Sequence, residues 1–434
     1  METTEPTTTI NSLLDKGKLF FKAVIIFVMA FFLWIPTNFI REVIKEREIR
    51  QKEAIEEVNS KWAGRQTITG PILMIPYNGI GANGLTYQKK YAWFMADQLD
   101  INSSVAPQKR HRGIYDIVVY QGDISITAQF NDIKFKELNV PSSGIQWAEA
   151  KLLLQISDLS RGINDEIYIK WKDSSFLCQP WSETTANVGD ALFAAIPLKE
   201  SDADTQNVFT VKFSLHGSQQ LMFAPAARET KIQMTGSWPD PSFTGIKIPE
   251  APNKSDTGID VKWKYLNRKT PMVWNDQFID LQSSSMGANL IIPVDQYDKT
   301  ERSVKYALLC IILTFAAFFL IERIYKRNLH LIQYGLAGLA LVLFYTLLLS
   351  ISEYVGFNLA YLIAGVATIG LVTWFVGSIM KSGKLATFIG FVLTVVYGYI
   401  FIIIQLQDYA LLMGSIGLFI ALGIIMYFSR KLQW

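Results

Sequence analysis

The 434-residue chain has little of what catalytic and redox chemistry needs: two cysteines, Cys178 and Cys310, and three histidines, His111, His216 and His330. Two cysteines exclude a disulfide-stapled scaffold. No His-Glu-x-x-His, Cys-x-x-Cys or Gly-x-Ser-x-Gly occurs, so the zinc-protease, thiol-redox and serine-hydrolase patterns lack their residues. The sequence therefore implies no enzyme, no cofactor and no metal site. Charge of one sign is also missing. The net value of +3 is too small to indicate a nucleic-acid partner.

Charge is scarce in one region. Only eleven charged residues fall between Ser303 and Trp434, while the rest of the chain carries an ordinary soluble density. A bilayer core takes about 20 mostly apolar residues in a helix. Six runs qualify: Leu19–Ile35, Val304–Ile321, Leu331–Ser350, Phe357–Met380, Leu385–Ile404 and Tyr409–Phe428. The first, preceded by Lys16 and Lys18 and containing Lys22, lacks a small-residue cleavage site after it. It reads as a retained anchor rather than a signal peptide.

The loops alternate in basic charge. Arg323, Lys326 and Arg327 follow the second span, Lys381 and Lys384 the fourth, and Arg430 and Lys431 the sixth. The loops after the third and fifth spans carry only Glu353 and Asp408. The positive-inside rule then places both termini in the cytoplasm and residues 41–302 in the periplasm. The basic residues from Arg41 to Lys52 oppose this orientation, as do Arg302 and Lys305. They are outvoted because long domains translocate largely regardless of charge.

The expected organisation is a cytoplasmic tail at 1–18, a first span at 19–40, a charged connector helix at 41–61, a β domain at 62–302 and a five-helix bundle at 303–434. In the β domain, apolar residues recur with period two. Val211, Phe213 and Leu215 alternate with Lys212, Ser214 and His216; Ile167, Ile169 and Trp171 do so with Tyr168, Lys170 and Lys172. Ile232/Met234 and Val261/Trp263/Tyr265 repeat the pattern. One-sided burial at this spacing predicts a mainly antiparallel, sandwich-like domain, so the fold class is an α+β membrane protein. One helix is expected over Ser143–Ile156, with Ile145, Ala148, Leu152 and Ile156 as its buried stripe. His216 and His330 are expected to face solvent. Gly79-Ile-Gly-Ala-Asn-Gly84 matches the dinucleotide glycine pattern, but strand-like residues follow it rather than a helix, so it reads as a hairpin loop.

Ionisable residues near mid-span mark transport paths, and these spans place none there. Their small-residue pairs, Ala360/Ala364, Ala386/Gly390 and Gly417/Ala421, suit close helix packing within the bundle. The charges that stand out lie at the span ends: Glu322 and Arg323 at one, Glu353, Asp408, Lys305 and Arg302 at the other. A carboxylate so near hydrocarbon is solvated, caps a helix or pairs with a cation. For Glu353 the expected partner is Lys305 or, failing that, Arg302, with Asp408 competing.

Several stretches resemble the CreD family of bacterial inner-membrane proteins. They include Lys61-Trp-Ala-Gly-Arg-Gln-Thr-Ile-Thr-Gly-Pro-Ile-Leu-Met-Ile-Pro-Tyr77, Ser237-Trp-Pro-Asp-Pro-Ser-Phe-Thr-Gly245 and Ile292-Pro-Val-Asp-Gln-Tyr-Asp-Lys-Thr-Glu-Arg-Ser-Val-Lys-Tyr306. In the apolar part, Gln333-Tyr-Gly-Leu-Ala-Gly-Leu-Ala-Leu-Val-Leu-Phe-Tyr345 and Asp408-Tyr-Ala-Leu-Leu-Met-Gly-Ser415 look like it too. Tyr354 and Gln407 depart from the His and Glu expected there. The resemblance implies an inner-membrane envelope-stress protein of Gram-negative bacteria, under two-component control and linked to envelope integrity and colicin tolerance, with no catalytic activity to carry over. The sequence reading agrees: the bilayer is one partner, and an envelope component bound by the β domain is the other. A transporter or lipid-handling protein is the alternative, since five clustered spans exceed what anchoring needs.

Overall fold

The computed structural model describes the chain except residues 1–6, 81–86, 134, 139, 141–143, 182–187, 239–240, 251–252, 256–257, 276, 291–294, 326–328, 407–408 and 431–434. Two compact units form, one from residues 52–292 and one from residues 1–51 together with 293–434.

The first unit is built of strands β1 (Gln66–Ile80), β2 (Tyr87–Phe94), β3 (Ala96–Arg112), β4 (Tyr115–Phe130), β5 (Ala150–Ile156), β6 (Tyr168–Trp171), β7 (Ser174–Leu177), β8 (Gln179–Pro180) and β9 (Ala191–Ile196). It continues with β10 (Asn207–Ser218), β11 (Gln220–Ala224), β12 (Ala227–Gly236), β13 (Ser242–Gly245), β14 (Asn253–Ser255), β15 (Gly258–Leu266), β16 (Val273–Asn275) and β17 (Met286–Asn289). One sheet has the order β13-β17-β11-β1-β5-β9-β8, with β2 also on β1 and β16 on β2; the other runs β14-β15-β12-β3-β4-β10-β6-β7. Among the described residues every named strand pair is antiparallel except β1 with β11 and β12 with β3. The predicted alternation holds in β6, β10, β12 and β15, whose Ile169, Val211, Leu215, Ile232, Met234, Val261 and Trp263 are buried. One hydrophobic core draws from both sheets, as in a sandwich.

The expected helix over Ser143–Ile156 does not form. Ser143 lies outside the described residues, Trp147–Glu149 makes a 3-10 turn, and Ala150–Ile156 is β5. This strand is central, between β1 and β9, and all its residues but the half-buried Lys151 are buried, so both its faces are covered and it needs no polar side. Its apolar residues, interrupted by Lys151 and Gln155, fit helical and extended spacing alike, so periodicity alone does not decide. The glycine pattern behaves as a hairpin on its described flanks, with Ile80 paired to Tyr87 across antiparallel β1 and β2; its residues 81–86 lie outside the described ones.

His216 is not simply solvent-facing. It is half-buried, its ring centroid 4.8 Å from that of Trp62 and its Nδ1 3.0 Å from Asn164 Nδ2. The strand alternation was read correctly, but Trp62 covers that face. His330 is exposed. Cys178 and Cys310 are free thiols, and burial pushes Cys178 up to about 12, so it stays protonated.

The helical unit holds most of α1 (Thr7–Asn59), whose last turns belong to the β unit, which also contains the one-turn α2 (Leu159–Gly162). It continues with α3 (Asp295–Lys305), α4 (Ala307–Ile324), α5 (Leu331–Val355), α6 (Phe357–Met380), α7 (Gly383–Gln405) and α8 (Ala410–Ser429). α1 and α4 to α7 are long and apolar enough to span a bilayer; α8, with its shorter run Leu412–Ile424, is the sixth candidate. The charged stretch after the first span continues α1 as a helix. α3 belongs with the helices, so the β unit ends at Ile292, ten residues before the boundary read from the sequence. Tyr297, Thr300, Ser303 and Val304 form its buried face.

Asp202 shows how the β unit handles a buried charge. Burial by itself raises its carboxyl, but the Lys172 ammonium 2.8 Å from Oδ1 and the Lys199 N–H 2.8 Å from Oδ2 outweigh that and hold it below the usual aspartate range. A lowered folded value stabilises the protein above the unfolded value of about 4, and this stabilisation is lost as pH falls through the folded value. We therefore expect Asp202→Asn to destabilise the β unit by about 1–3 kcal/mol at pH 7. The gap to wild type should close below about pH 4, as read by amide exchange in β6 and β10 across a pH series. A gap that persists unchanged at pH 3 would refute the assignment.

Candidate functional site

In the helical unit, polar groups concentrate at the two ends of α5. A helix in lipid satisfies its own backbone, so a buried side-chain charge must find its partner on another helix. At the first end Glu322 of α4 is 6% exposed. Its Oε1 accepts from Lys22 Nζ of α1, and its Oε2 accepts from Tyr334 OH of α5 at 2.9 Å. Lys22 also donates to Leu329 O at 2.7 Å. One carboxylate thus ties together three helices that are distant in sequence.

The second end repeats the chemistry. Glu353 of α5 accepts from Tyr297 OH of α3 at 3.1 Å, and Arg47 Nε of α1 lies 3.8 Å from the same oxygen. The Glu353 side chain is 8% exposed. Each end of α5 therefore carries a tyrosine, a glutamate and a cation, and α1 supplies the cation both times.

Between the ends, α1 presents Ile26, Ala30, Thr37 and Ile44 as a buried stripe at near-heptad spacing. Gly338 of α5 faces Leu33 and Phe315 with no room for a methyl group, and Met29 Sδ lies 3.5 Å from where a Cβ on Gly335 would stand. The small residues let α1 approach closely. From Lys22 to Arg47 is 25 residues, about 37 Å of helix at 1.5 Å per residue, and α5 has the same length of 25 residues. The two polar triads fix the register of α1 along α5.

The bundle interior is filled by rings. Phe344 meets Tyr345, Tyr361 and Tyr397 edge to face at centroid distances of 4.9, 5.3 and 4.6 Å. Tyr361 OH donates to Tyr397 O at 2.9 Å. Ala360 and Ala364 are fully buried, and Gly390 and Gly417 pack against Thr373 and Tyr399, so the small-residue pairs serve packing within this unit.

Of the charges singled out from sequence, Glu322 and Glu353 lie at the centres of the two triads. The expected partner of Glu353 is not the observed one. Lys305 is exposed and pairs with Glu301 at 3.1 Å, four residues back on α3, while Arg47 and Tyr297 take Glu353. Lys305 is on the opposite side of α3 from its buried face, and only the fold of α3 reveals that. Arg302 is half-buried on α3 and Arg323 is exposed at the end of α4. Asp408 lies outside the described residues, as does Gln407; Tyr354 is exposed. Sequence reasoning missed Lys22, Arg47, Tyr297 and Tyr334. Lys22 carried a signal: a cation inside an apolar run, matched by an anion at the end of another. Among the described residues no three acidic, His or Cys side chains converge to hold a metal ion.

The model of the family described as Inner membrane protein CreD matches residues 18–434. The Inner membrane protein CreD of Escherichia coli (strain K12) is 28% identical over 430 residues, covering 96% of this chain and 94% of that protein. Among solved structures, a candidate protease of Parabacteroides distasonis aligns over 58% of this chain and 50% of that chain, with 7% identity and a TM-score of 0.23, too weak a likeness to carry an argument.

Removing one member of a buried ion pair leaves the other charge uncompensated, at a cost of about 3–5 kcal/mol. We expect Lys22→Ala to lower the thermal midpoint of the purified protein in detergent strongly. The double variant Lys22→Ala/Glu322→Ala should recover part of that loss. A double variant as unstable as the sum of the two single ones would show that the pair is not coupled.

Proposed function

The chain belongs to the CreD family of inner-membrane proteins, and from that premise we propose that it is a non-catalytic envelope-integrity factor whose β unit faces the periplasm and recognises an envelope component. The helical unit is its anchor. The interlocked core of Phe344, Tyr345, Tyr361 and Tyr397 carries this reading. A transporter needs ionisable groups or a wet path near mid-span; here packed aromatic rings, one phenylalanine and three tyrosines, fill the interior, and the carboxylates Glu322 and Glu353 stand at the ends with cations beside them. Three of the helices, α3, α4 and α5, hold α1 through the two triads, which gives them a role apart from transport or lipid handling.

The orientation rests on loop charge. Arg323, Lys326 and Arg327, then Lys381 and Lys384, then Arg430 and Lys431 mark one side, and the loops at Glu353 and Asp408, free of Lys and Arg, mark the other. This supports cytoplasmic termini and a periplasmic β unit. The enzyme reading finds no support in the side chains: among the described residues the membrane-side carboxylates are already engaged by Tyr334, Lys22, Tyr297 and Arg47.

Reporter fusions at Arg327 and Lys384 are expected to report cytoplasm, and one at Glu353 periplasm; the reverse at Glu353 refutes the orientation. With the orientation established, photo-crosslinkers spread over the exposed strands of the β unit in intact cells should capture an envelope component. Equal capture from the helix faces alone would move recognition to the bundle.

A further inference from the structure

We propose that a cleft at the edge of the β unit binds a cationic amphipathic ligand, a peptide-like chain that carries amines beside apolar groups. This deepens the recognition reading above and rests on it.

The cleft arises from topology. After β5 the chain leaves one sheet and crosses through Ser157–Ile167, with the single turn of α2, to β6 in the other. It returns through Cys178, between β7 and β8. The two crossings run side by side, tied by the Cys178 N–H donating to Ile167 O at 2.8 Å. Between them and the start of β9 lies a space of about 580 Å³, within the range of small-ligand sites.

The lining is amphipathic. Ile163, Ile167, Cys178 and Leu192 give it apolar surface. The thiol of Cys178 is neutral, so it adds no charge to this surface. Four carboxylates, Asp158, Asp165, Glu166 and Asp190, stand around it, with Arg161 the sole cation lining it among the described residues. Arg161 is already committed, its Nε 3.0 Å from Asp158 Oδ1 and its NH1 donating to Ser60 O at 3.2 Å. Asp158 also accepts from the Gly64 N–H at 2.9 Å. The surplus sits on Asp165, Glu166 and Asp190, which are exposed and make no ion pair among the described residues; Glu166 accepts only from the Tyr168 hydroxyl at 2.6 Å.

Three uncompensated carboxylates above an apolar floor repel anions and attract amines, while the floor rewards an apolar group next to the amine. A bare metal ion is a poor match, because no three acidic side chains among the described residues converge on one point. A neutral apolar ligand is a poor match too, since it would desolvate the rim carboxylates without pairing them.

The test uses the full-length protein in nanodiscs of zwitterionic phosphatidylcholine, with empty nanodiscs as baseline. The probe is a fluorescein-labelled hexapeptide of alternating Lys and Leu, read by anisotropy. Asp165→Asn/Glu166→Gln/Asp190→Asn is expected to weaken binding about tenfold or more, and Asp132→Asn/Asp204→Asn, elsewhere on the unit, to leave it unchanged. Asp165→Lys/Asp190→Lys should reverse the preference toward the matching Glu/Leu peptide. Unchanged binding in the triple variant, equal loss in the control variant, absence of reversal, or equally tight binding of spermine would each overturn the proposal. Failure here with crosslinking still succeeding from another face of the unit removes the cleft and leaves the recognition reading intact.

Discussion

The constraint on which the helical unit depends is that a charge placed among apolar helices must be answered by another helix. Burying a carboxylate such as Glu322 in such surroundings is costly without a partner, and the partner comes from α1, about 300 residues earlier in the chain. The same holds at the other end for Glu353 and Arg47. Hydrophobic packing in lipid is a weak guide to register, because one apolar face slides past another at little cost. Two polar triads one α5-length apart remove that freedom. They make the N-terminal helix a member of the bundle instead of a free anchor, and the glycines at 335 and 338 supply the close approach the triads require.

The β unit is held by different means. It has one cysteine and no disulfide, and its stability comes from a core drawn from two sheets. At roughly 240 residues it is large enough to bury that core without staples. Several of its buried polar groups are paired within the unit: Asp202 with Lys172, the Gln155 amide N–H with the Val188 carbonyl, Asn207 with the Asp202 carbonyl and Trp171.

Much of this was legible in the sequence. Each apolar run became a helix, and the strands with strict alternation became strands, because one buried face leaves period two as its trace. Ala150–Ile156 was misread because a strand covered on both sides leaves no alternation. α3 was missed because its helical face, Tyr297, Thr300 and Ser303, is half polar and gives no apolar stripe. The positions of the important charges could be read, and their partners could not. Glu353 was read as solvated, capping a helix or paired with Lys305 or Arg302, and that Arg47 takes it instead turns on which way α3 faces. That is a tertiary fact, invisible to any count along the chain.

The two triads also bear on why so many charged residues follow the first span. In the proposed orientation Arg41 to Lys52 stand on the side where basic residues are usually depleted. A cation there is tolerated where it has structural work and where acids accompany it. Arg47 meets Glu353, and Arg50 meets Glu46 at 2.5 Å. Farther along, Arg112 forks onto both oxygens of Glu57, at 3.0 and 2.6 Å, while Lys61 binds the same carboxylate. The Lys61 and Arg112 hydrogen bonds hold Glu57 below the usual glutamate range. The charges that count against the proposed orientation are thus those that stiffen α1 as it leaves the apolar region and pair its last turns within the β unit. A helix that must stay helical in water for several turns needs such pairs, and their presence follows from that need whichever way the chain was first threaded.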